Sequence, residues 1–296
     1  IVPGIGMAMN CFTQKGDKVM IQPPVYHPFA WVTTRNERTL VTNPLKWENG
    51  MYRMDLDTFR EQIKGCKLFI LCNPHNPGGV VWTEAELRAI ADICYDEKVL
   101  VFSDEIHADL TLPPHTHRPF ATVSEKARMN SVTFMSPSKA FNMPGLSASH
   151  ALIFNEDLRK RFRIYMDAGE LDMGHVFAFL SVEAAYSHGT EWLDQCLAYI
   201  QGNIDFVDDF LKNHAPKIKA IRPGASYLVW LDCRELKLSQ KDLNEFFVDK
   251  AHLALNDGEM FGKEGIGFMR LNVASPRCII EKAMKQLADA YQLYIK

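Results

Sequence analysis

Three polar residues of this sequence each follow a short apolar run of the kind that forms a buried strand. They are Asn76, Asp104 and Lys139. Open α/β sheets bind ligands in the crevice outside the carboxyl ends of their strands. We therefore expect an amide, an acid and an amine to lie together at one edge of a sheet, where they could bind and act on one ligand.

Lys139 has the most specific chemistry of the three. It follows Ser136 and Ser138 directly after an apolar run. A lysine amine in this position can form a Schiff base with an aldehyde cofactor, and the two hydroxyls can bind a phosphate group. The same residue types also occur in ordinary loops, where the lysine is solvated and the serines cap the backbone.

Asn76 and Asp104 also have structural alternatives. Asn76 belongs to the run 73–78, whose Pro, Asn and Gly residues form turns without any ligand. Asp104 could instead cap a helix or pair with a basic side chain. For a single residue the structural alternative is the more common one, so the three positions must be judged together.

The motifs around these residues resemble those of a known family. The similarity is to the fold-type I pyridoxal-phosphate enzymes, the aminotransferase class I/II superfamily, at 73–78 (Asn-Pro-His-Asn-Pro-Gly), 103–107 (Ser-Asp-Glu-Ile-His) and 136–139 (Ser-Pro-Ser-Lys). Within that superfamily, 23–29 (Pro-Pro-Val-Tyr-His-Pro-Phe) and 267–272 (Gly-Phe-Met-Arg-Leu-Asn) are most similar to cystathionine β-lyase-like C–S lyases. The resemblance covers essentially the whole chain.

The resemblance implies a role for each residue at the strand ends. Lys139 would carry pyridoxal 5'-phosphate as a Schiff base and, once released, would remove the α-proton of the substrate. Asp104 would lie beside the ring nitrogen, because a carboxylate there keeps the nitrogen protonated and the ring an electron sink. Asn76 and His107 would donate hydrogen bonds to the ring's phenolate oxygen, although a histidine in this position could equally be a core residue.

Four more residues complete the implied site. Tyr26 would stack on the cofactor ring and belongs with the lysine and the aspartate to the catalytic set. Ser136 and Ser138 would bind the cofactor phosphate. Arg270 would form a bidentate salt bridge with the substrate's α-carboxylate, since an unpaired charge within an apolar strand is costly. The structural alternatives are packing for the tyrosine, local caps for the serines and an internal ion pair for the arginine.

On this resemblance we expect a pyridoxal-phosphate-dependent C–S β-lyase. It would convert cystathionine or cysteine-type thioethers by α,β-elimination to a thiol, pyruvate and ammonia. His107 favours this branch, because many aminotransferases carry Tyr there. An aminotransferase remains an alternative, since it needs the same electron sink, base and carboxylate site, and a non-catalytic or regulatory member of the fold is another. A homodimer acting on an amino acid is implied by the resemblance alone.

Two features depart from the family's pattern. Ser147 stands eight residues after the lysine, where aminotransferase relatives often have an arginine that holds the phosphate. The chain also begins at Ile1, in what resembles the middle of a helix, and we expect an N-terminal segment with part of the phosphate site to precede it. His75 receives no role, because turn packing suits it better. Arg277 is not assigned a role either, since it could steer anionic substrates or equally be a solvated helix start.

The composition limits the other classes of function. The 296 residues are 47% hydrophobic and carry a net charge of −3, so nucleic acid is not an expected partner. No apolar run reaches the ~18 residues that a membrane span requires. Seven cysteines without a C-x-x-C pair indicate reduced thiols in a cytoplasmic protein. No metal site is expected.

The elements that position these residues follow from the apolar patterns. Strand-like runs and helical patterns alternate over the first two-thirds, which predicts an α/β fold with an open, mostly parallel sheet covered by helices. A smaller α+β unit follows, so we divide the chain into a large cofactor-binding domain (1–195) and a small C-terminal domain (196–296). Strands are predicted at 19–21, 68–72, 99–102, 132–135, 227–231 and 267–271, and helices at 83–95, 173–214 (two), 241–250 and 276–294.

Overall fold

The computed structural model describes residues 1–294. Its strands are β1 (Lys18–Ile21), β2 (Thr39–Thr42), β3 (Lys46–Glu48), β4 (Met51–Arg53), β5 (Cys66–Cys72), β6 (Leu100–Asp104), β7 (Ser131–Met135), β8 (His150–Leu152), β9 (Lys219–Ile221), β10 (Leu228–Asp232), β11 (Asn256–Asp257) and β12 (Phe268–Asn272). Its helices are α1 (Val2–Phe12), α2 (Pro28–Arg35), α3 (Leu56–Gln62), α4 (Glu84–Asp96), α5 (Glu125–Met129), α6 (Glu156–Ala168), α7 (Val176–His188), α8 (Thr190–His214), α9 (Gln240–Glu245) and α10 (Arg277–Tyr294). Every strand and helix predicted from the sequence is present.

The large sheet has the strand order β2-β1-β5-β6-β7-β8. Its strands run parallel except for β8, which pairs antiparallel with β7. Strand β5 is apolar on both faces because both faces are covered. Phe69 and Leu71 pack in the core that includes α4, whereas Leu68 and Ile70 pack in the core that includes α1. The predicted α/β fold, with its mostly parallel sheet, is confirmed.

The register of the large sheet brings the predicted strand ends to one edge. Cys72, the last residue of β5, lies beside Asp104, the last residue of β6. Asp104 in turn lies beside Phe134 of β7. The loops that carry Asn76 and Lys139 therefore leave the sheet at the same edge as Asp104.

Helix α4 begins where the sequence predicts. The Thr83 hydroxyl accepts a hydrogen bond from the Glu86 amide at 3.2 Å, and the Glu86 carboxylate accepts one from the Thr83 amide at 2.8 Å. These reciprocal bonds satisfy two amides that the first helical turn leaves without partners. The helix carries the chain back to β6 and so fixes the Asn76 loop relative to Asp104.

The C-terminal part forms a second, antiparallel sheet in the order β11-β12-β10-β9. Helices α8 and α10 pack on it around buried side chains such as Val207, Leu231 and Met284. Arg270 lies on β12, opposite Trp230 of β10 and Asn256 of β11. Because β12 has a paired strand on each side, the backbone of Arg270 is held in place.

A shared apolar core joins the two sheets. Trp230 and Phe268 of the C-terminal sheet are buried together with Phe69 and Trp82 of the large one. The Trp230 indole also donates a hydrogen bond to the Tyr52 hydroxyl at 3.2 Å. Residue 195 lies within helix α8. We retain the division into residues 1–195 and 196–296 as a proposal, in which the chain passes between the units along one helix.

Within residues 1–294, no helix is both long and apolar enough to cross a lipid bilayer. The same residues contain no group of three or more His, Cys, Asp and Glu side chains placed to hold a metal ion. All seven cysteines carry free thiols, four of them buried.

Candidate active site

One cavity of about 1050 Å³ opens at the edge where β5, β6 and β7 end. A cavity of this size suits a small-molecule ligand. The large sheet and its loops supply most of the polar wall, and the C-terminal sheet closes it. All eight residues predicted to form a site line the cavity: Tyr26, Asn76, Asp104, His107, Ser136, Ser138, Lys139 and Arg270.

Hydrogen bonds among its own residues shape the loop that carries Lys139. The Ser136 hydroxyl lies 2.5 Å from the carbonyl oxygen of Ala148 and 2.9 Å from the Ser138 hydroxyl. It also accepts a bond from the Ser138 amide at 3.1 Å. The two serines therefore hold the start of the loop together, and both residues line the cavity beside Lys139.

Phe141 anchors the far side of the same loop. Its ring packs against Tyr186 of α7 at 5.9 Å and against Trp192 of α8 at 6.1 Å. A side chain at Gly189, between those helices, would collide with the Phe141 ring. The Phe141 ring fits between α7 and α8 only because residue 189 is glycine. This packing holds the loop in place two residues after Lys139.

Asp104 lies almost fully buried at the floor of the cavity. Burial raises the pKa of its carboxyl to about 6, and the Ile106 amide opposes this rise by donating to Oδ1 at 3.1 Å. The second carboxylate oxygen has no hydrogen-bond partner among residues 1–294. A buried acid of this kind is stabilised as an anion by a cationic ligand atom placed against it.

Asn76 and His107 present nitrogen atoms to the same space. Asn76 uses its carbonyl oxygen to accept a bond from Arg270 at 2.7 Å, so its amide nitrogen remains available as a donor. The Nδ1 atom of His107 is buried and has no partner in the described chain. Burial lowers the pKa of His107 to about 3, so the imidazole is neutral near pH 7. Eight buried side-chain atoms of the described chain lack a partner, so the evidence for a ligand here is that His107 and Asn76 both line the cavity.

Arg270 has no acidic partner within salt-bridge distance among residues 1–294. Nη1 donates to Asn76 and Nη2 to Asn256, each at 2.7 Å, and the guanidinium lies 4.6 Å from the centre of the Phe261 ring. Burial lowers the pKa of Arg270 to about 10, and the nearby phenol of Tyr26 opposes the change. A partly buried cation held only by neutral groups is prepared to bind an anion.

Tyr26 lies on the wall of the cavity, immediately before α2. Its ring is half-buried and packs edge-on against Phe29 at 5.8 Å. Burial raises the pKa of its hydroxyl, so the phenol is neutral near pH 7. The ring is therefore fixed by its neighbours and remains in contact with the ligand space.

The sequence reasoning missed several residues of this site, and four of them bear on its chemistry. Tyr227, His27 and Cys72 line the cavity, and Asn256 holds Arg270 from the adjacent strand. His27 lies within the quoted motif at 23–29 and Cys72 directly precedes the one at 73–78, so both could have been found from the sequence. Nothing in the local sequence marks Asn256, because its contact depends on the pairing of β11 with β12.

The three residues noted without a role have separate environments. His75 is buried, with Nε2 2.9 Å from the carbonyl oxygen of Pro24. Arg277 donates to Asn203 at 2.8 Å and does not line the cavity. Ser147 does line it, in a left-handed backbone conformation with φ of 51°.

The residues present fit pyridoxal phosphate. Lys139 offers the amine, Asp104 the buried acid for the ring nitrogen, and Asn76 and His107 the side chains for the ring oxygen. The Ser138 hydroxyl proton is free for the phosphate, whereas the Ser136 hydroxyl donates to the Ala148 carbonyl and would have to turn to bind it. The fit depends most directly on the single cavity that Lys139, Asp104, Asn76 and His107 all line.

Comparisons with known proteins agree with this fit. Residues 2–287 match the family model for aminotransferase class I and II. The cystathionine β-lyase PatB of Bacillus subtilis (strain 168) is 38% identical over 292 residues, which are 98% of this chain and 76% of that protein. The pyridoxal-phosphate-bound C–S lyase from Staphylococcus hominis has a TM-score of 0.90 at 32% identity, covering 98% and 76% of the two chains.

A third relative, from Clostridium difficile 630, is bound to pyridoxal phosphate and is provisionally named an aminotransferase. Its TM-score is 0.96 at 40% identity, covering 98% of this chain and 76% of that one. The similarity in each case extends over the cavity and over both sheets. This chain belongs to the aminotransferase class I and II family.

Proposed function

We propose that this protein is a pyridoxal-phosphate-dependent C–S β-lyase that cleaves cystathionine or a cysteine-type thioether to a thiol, pyruvate and ammonia. The observation that carries the proposal is one cavity that joins the Lys139 amine, the buried Asp104 acid and the unpaired Arg270 cation. The relative named cystathionine β-lyase, at 38% identity, supports elimination as the reaction.

Each of these residues would act at a stated atom. Pyridoxal phosphate, when bound, supplies the electron sink that stabilises the charge left on the substrate's Cα after proton loss. Lys139 Nζ would hold the cofactor at rest and accept that Cα proton. Arg270 would bind the α-carboxylate through two N–H groups and so fix Cα in the cavity.

Asp104 and His107 would tune the site electrostatically. The Asp104 carboxylate would hold a proton on the ring nitrogen, because the pair of opposite charges is more stable than a buried carboxylate alone. His107 and Asn76 would donate to the ring oxygen, and Tyr26 would cover the ring face. The C–S bond breaks as the thiol leaves with the proton taken from Cα, and one water molecule completes the conversion to pyruvate and ammonia.

The test is the release of pyruvate from cystathionine by the cofactor-loaded protein, without any added keto acid. Lactate dehydrogenase and NADH report pyruvate continuously. We expect pyruvate from the wild type and none above background from Lys139→Ala, which retains the cavity but lacks the amine. No pyruvate from the wild type with any thioether amino acid would refute the proposal.

Amino transfer is a second candidate function. It uses the same base, electron sink and carboxylate site, and the 40% identical relative provisionally named an aminotransferase favours it. Transfer requires a keto acid as acceptor and leaves the C–S bond intact. Formation of a new amino acid from added 2-oxoglutarate, with no thiol released, would therefore decide for amino transfer.

We also propose a homodimer located in the cytoplasm. Helix α7 exposes Val176, Phe177, Phe179 and Leu180, and Phe177 alone is 68% exposed. Contiguous exposed apolar side chains are typical of protein interfaces. The seven free thiols support a reducing compartment. Light scattering of the purified protein tests the dimer, and fractionation of the source cells tests the location.

A further inference from the structure

Tyr227 occupies a place in the cavity that no predicted role explains. It precedes β10, next to the strand that carries Arg270, and its ring packs edge-on against His107 at 6.3 Å. The side chain lines the cavity, and its hydroxyl has no hydrogen-bond partner among residues 1–294. A phenol placed in this way can donate to a ligand.

The backbone immediately before Tyr227 is strained. Nine non-glycine residues of the described chain have a positive φ, and eight of them are exposed. The remaining one is Ser226, which is buried and has φ of 80°. Its hydroxyl is also buried without a hydrogen-bond partner. The positive φ and the unpaired hydroxyl both destabilise the folded state. Backbone strain of this kind is found mostly at functional sites.

Backbone hydrogen bonds impose this conformation. The Ser226 amide donates to the carbonyl oxygen of Leu110 at 2.8 Å, and the Leu112 amide donates to that of Gly224 at 2.9 Å. The chain at 110–112 follows the loop that carries His107. The bonds therefore fix Tyr227 relative to His107, and the strain at Ser226 is balanced by the contacts that place Tyr227 in the cavity.

The surroundings of Tyr227 indicate what its hydroxyl would meet. Leu228, the next residue, pairs with Asn272 on β12, two residues from Arg270. Burial raises the pKa of Tyr227, and the nearby charge of Arg270 opposes the rise. The hydroxyl is therefore protonated near pH 7, and Tyr227 lines the same cavity as the Arg270 cation, which lacks an anion.

We propose that Tyr227 is a further substrate-binding residue, whose hydroxyl donates a hydrogen bond to the substrate α-carboxylate held by Arg270. The inference rests on the proposed function, because it assumes an amino-acid carboxylate at Arg270. A carboxylate offers about four acceptor positions, and a bidentate guanidinium occupies two of them. About two positions therefore remain for other donors in a partly buried site, and the Tyr227 hydroxyl can fill one of them.

The experiment compares two thioethers of equal length on the cofactor-loaded protein. One is 3-(methylthio)propanoate, which has a carboxylate, and the other is 3-(methylthio)propan-1-ol, which has none. Calorimetric titration gives both dissociation constants for the wild type and for Tyr227→Phe. Tyr95→Phe is the matched control, because Tyr95 is an exposed tyrosine of α4 outside the cavity.

We expect Tyr227→Phe to weaken binding of the acid about tenfold or more, as for a lost hydrogen bond to a charged group, and to leave binding of the alcohol unchanged. The KM for cystathionine should rise while kcat changes little. Equal affinity of Tyr227→Phe and the wild type for the acid would overturn the inference, as would an equal loss for acid and alcohol.

The wild type separates this inference from the proposed function. If the wild type binds the acid and releases pyruvate while Tyr227→Phe does the same equally well, only the role of Tyr227 is refuted. If the wild type neither binds the acid nor releases pyruvate, the proposed function itself fails. A changed cofactor absorbance in Tyr227→Phe with unchanged acid affinity would assign the hydroxyl to the cofactor and would also overturn the inference.

Discussion

Arg270 donates through Nη1 to the side-chain oxygen of Asn76 over 2.7 Å. The two residues belong to different sheets, since Arg270 lies on β12 and Asn76 follows β5. Because the bond uses the oxygen of the amide, it turns the amide nitrogen of Asn76 towards other acceptors in the cavity. Arg270, which we propose binds the substrate, therefore orients Asn76, which we propose binds the cofactor.

Asn76→Ala should impair both binding steps. It removes a donor to the cofactor and leaves Arg270 with one neutral partner fewer. Hydrogen bonds to charged groups contribute about 1.5–3 kcal/mol, so we expect kcat/KM for cystathionine to fall by about 10–100-fold. Steady-state pyruvate release and a pyridoxal phosphate titration measure the two effects.

Asn256→Ala is the matched control for that substitution. Asn256 accepts from Nη2 of the same guanidinium, also at 2.7 Å, but lies exposed on β11 and does not line the cavity. We expect Asn256→Ala to raise the KM for cystathionine less than Asn76→Ala does and to leave the affinity for pyridoxal phosphate unchanged. A loss of cofactor affinity equal to that of Asn76→Ala would contradict the coupling of the two sites through Asn76.

Asp104 should give the cofactor-free protein a specific dependence of stability on pH. Burial raises the pKa of the folded-state carboxyl to about 6, whereas the unfolded chain ionises near the ordinary value of about 3.9. Between these values the folded state binds the additional proton. The contribution of Asp104 to stability is therefore present below about pH 4 and is lost as the pH rises through about 6.

Asp104→Asn removes this titration and serves as the comparison. Urea unfolding of the cofactor-free wild type and variant, at several pH values between about 4 and 7, measures the difference in unfolding free energy. We expect the variant to gain stability relative to the wild type as the pH rises. A difference that is independent of pH would show that the folded-state pKa of Asp104 is not raised.

The centre of the fold could be predicted because its strands are buried on both faces. Strand β5 contains an unbroken apolar run from Leu68 to Cys72, and Thr83 with Glu86 marks the start of the next helix. Strands β2 and β8 lie at the sheet's edges, are short and are only partly buried, so their sequences lack that pattern. Strand β11 has two residues and exists through its pairing with β12.

Site residues could be predicted where they belong to motifs at strand ends. They could not be predicted where contacts between distant parts of the chain determine their position. Asp104 and Lys139 meet because parallel strands end at one edge. The bond between Arg270 and Asn76 depends on the packing of one sheet against the other, which no local pattern encodes. The strain at Ser226 is equally invisible in sequence, since serine is common where φ is negative.

The cysteines should differ sharply in reactivity. Cys278, at the start of α10, is the exposed cysteine of the described chain. Cys72, on the cavity wall, is buried, and burial raises the pKa of its thiol, so little thiolate exists near pH 8. We expect iodoacetamide to modify Cys278 first and Cys72 only after unfolding, as read by peptide mass mapping. Rapid modification of Cys72 in the folded protein would contradict this. So would an unchanged overall rate of thiol modification in the Cys278→Ser variant.

His107 should bind the cofactor as a neutral donor. Its side chain lines the cavity, and burial lowers its pKa to about 3, so the imidazole is neutral near pH 7. His107→Phe fills a similar volume without the nitrogen. Losing a hydrogen bond to an anionic ring oxygen should weaken pyridoxal phosphate about tenfold or more. His107→Gln, which keeps a donor, should recover part of that loss, because the donor and not the ring is what the cofactor needs. Absorbance titration of the apo-protein gives the three affinities, and wild-type affinity in His107→Phe would place the donor elsewhere.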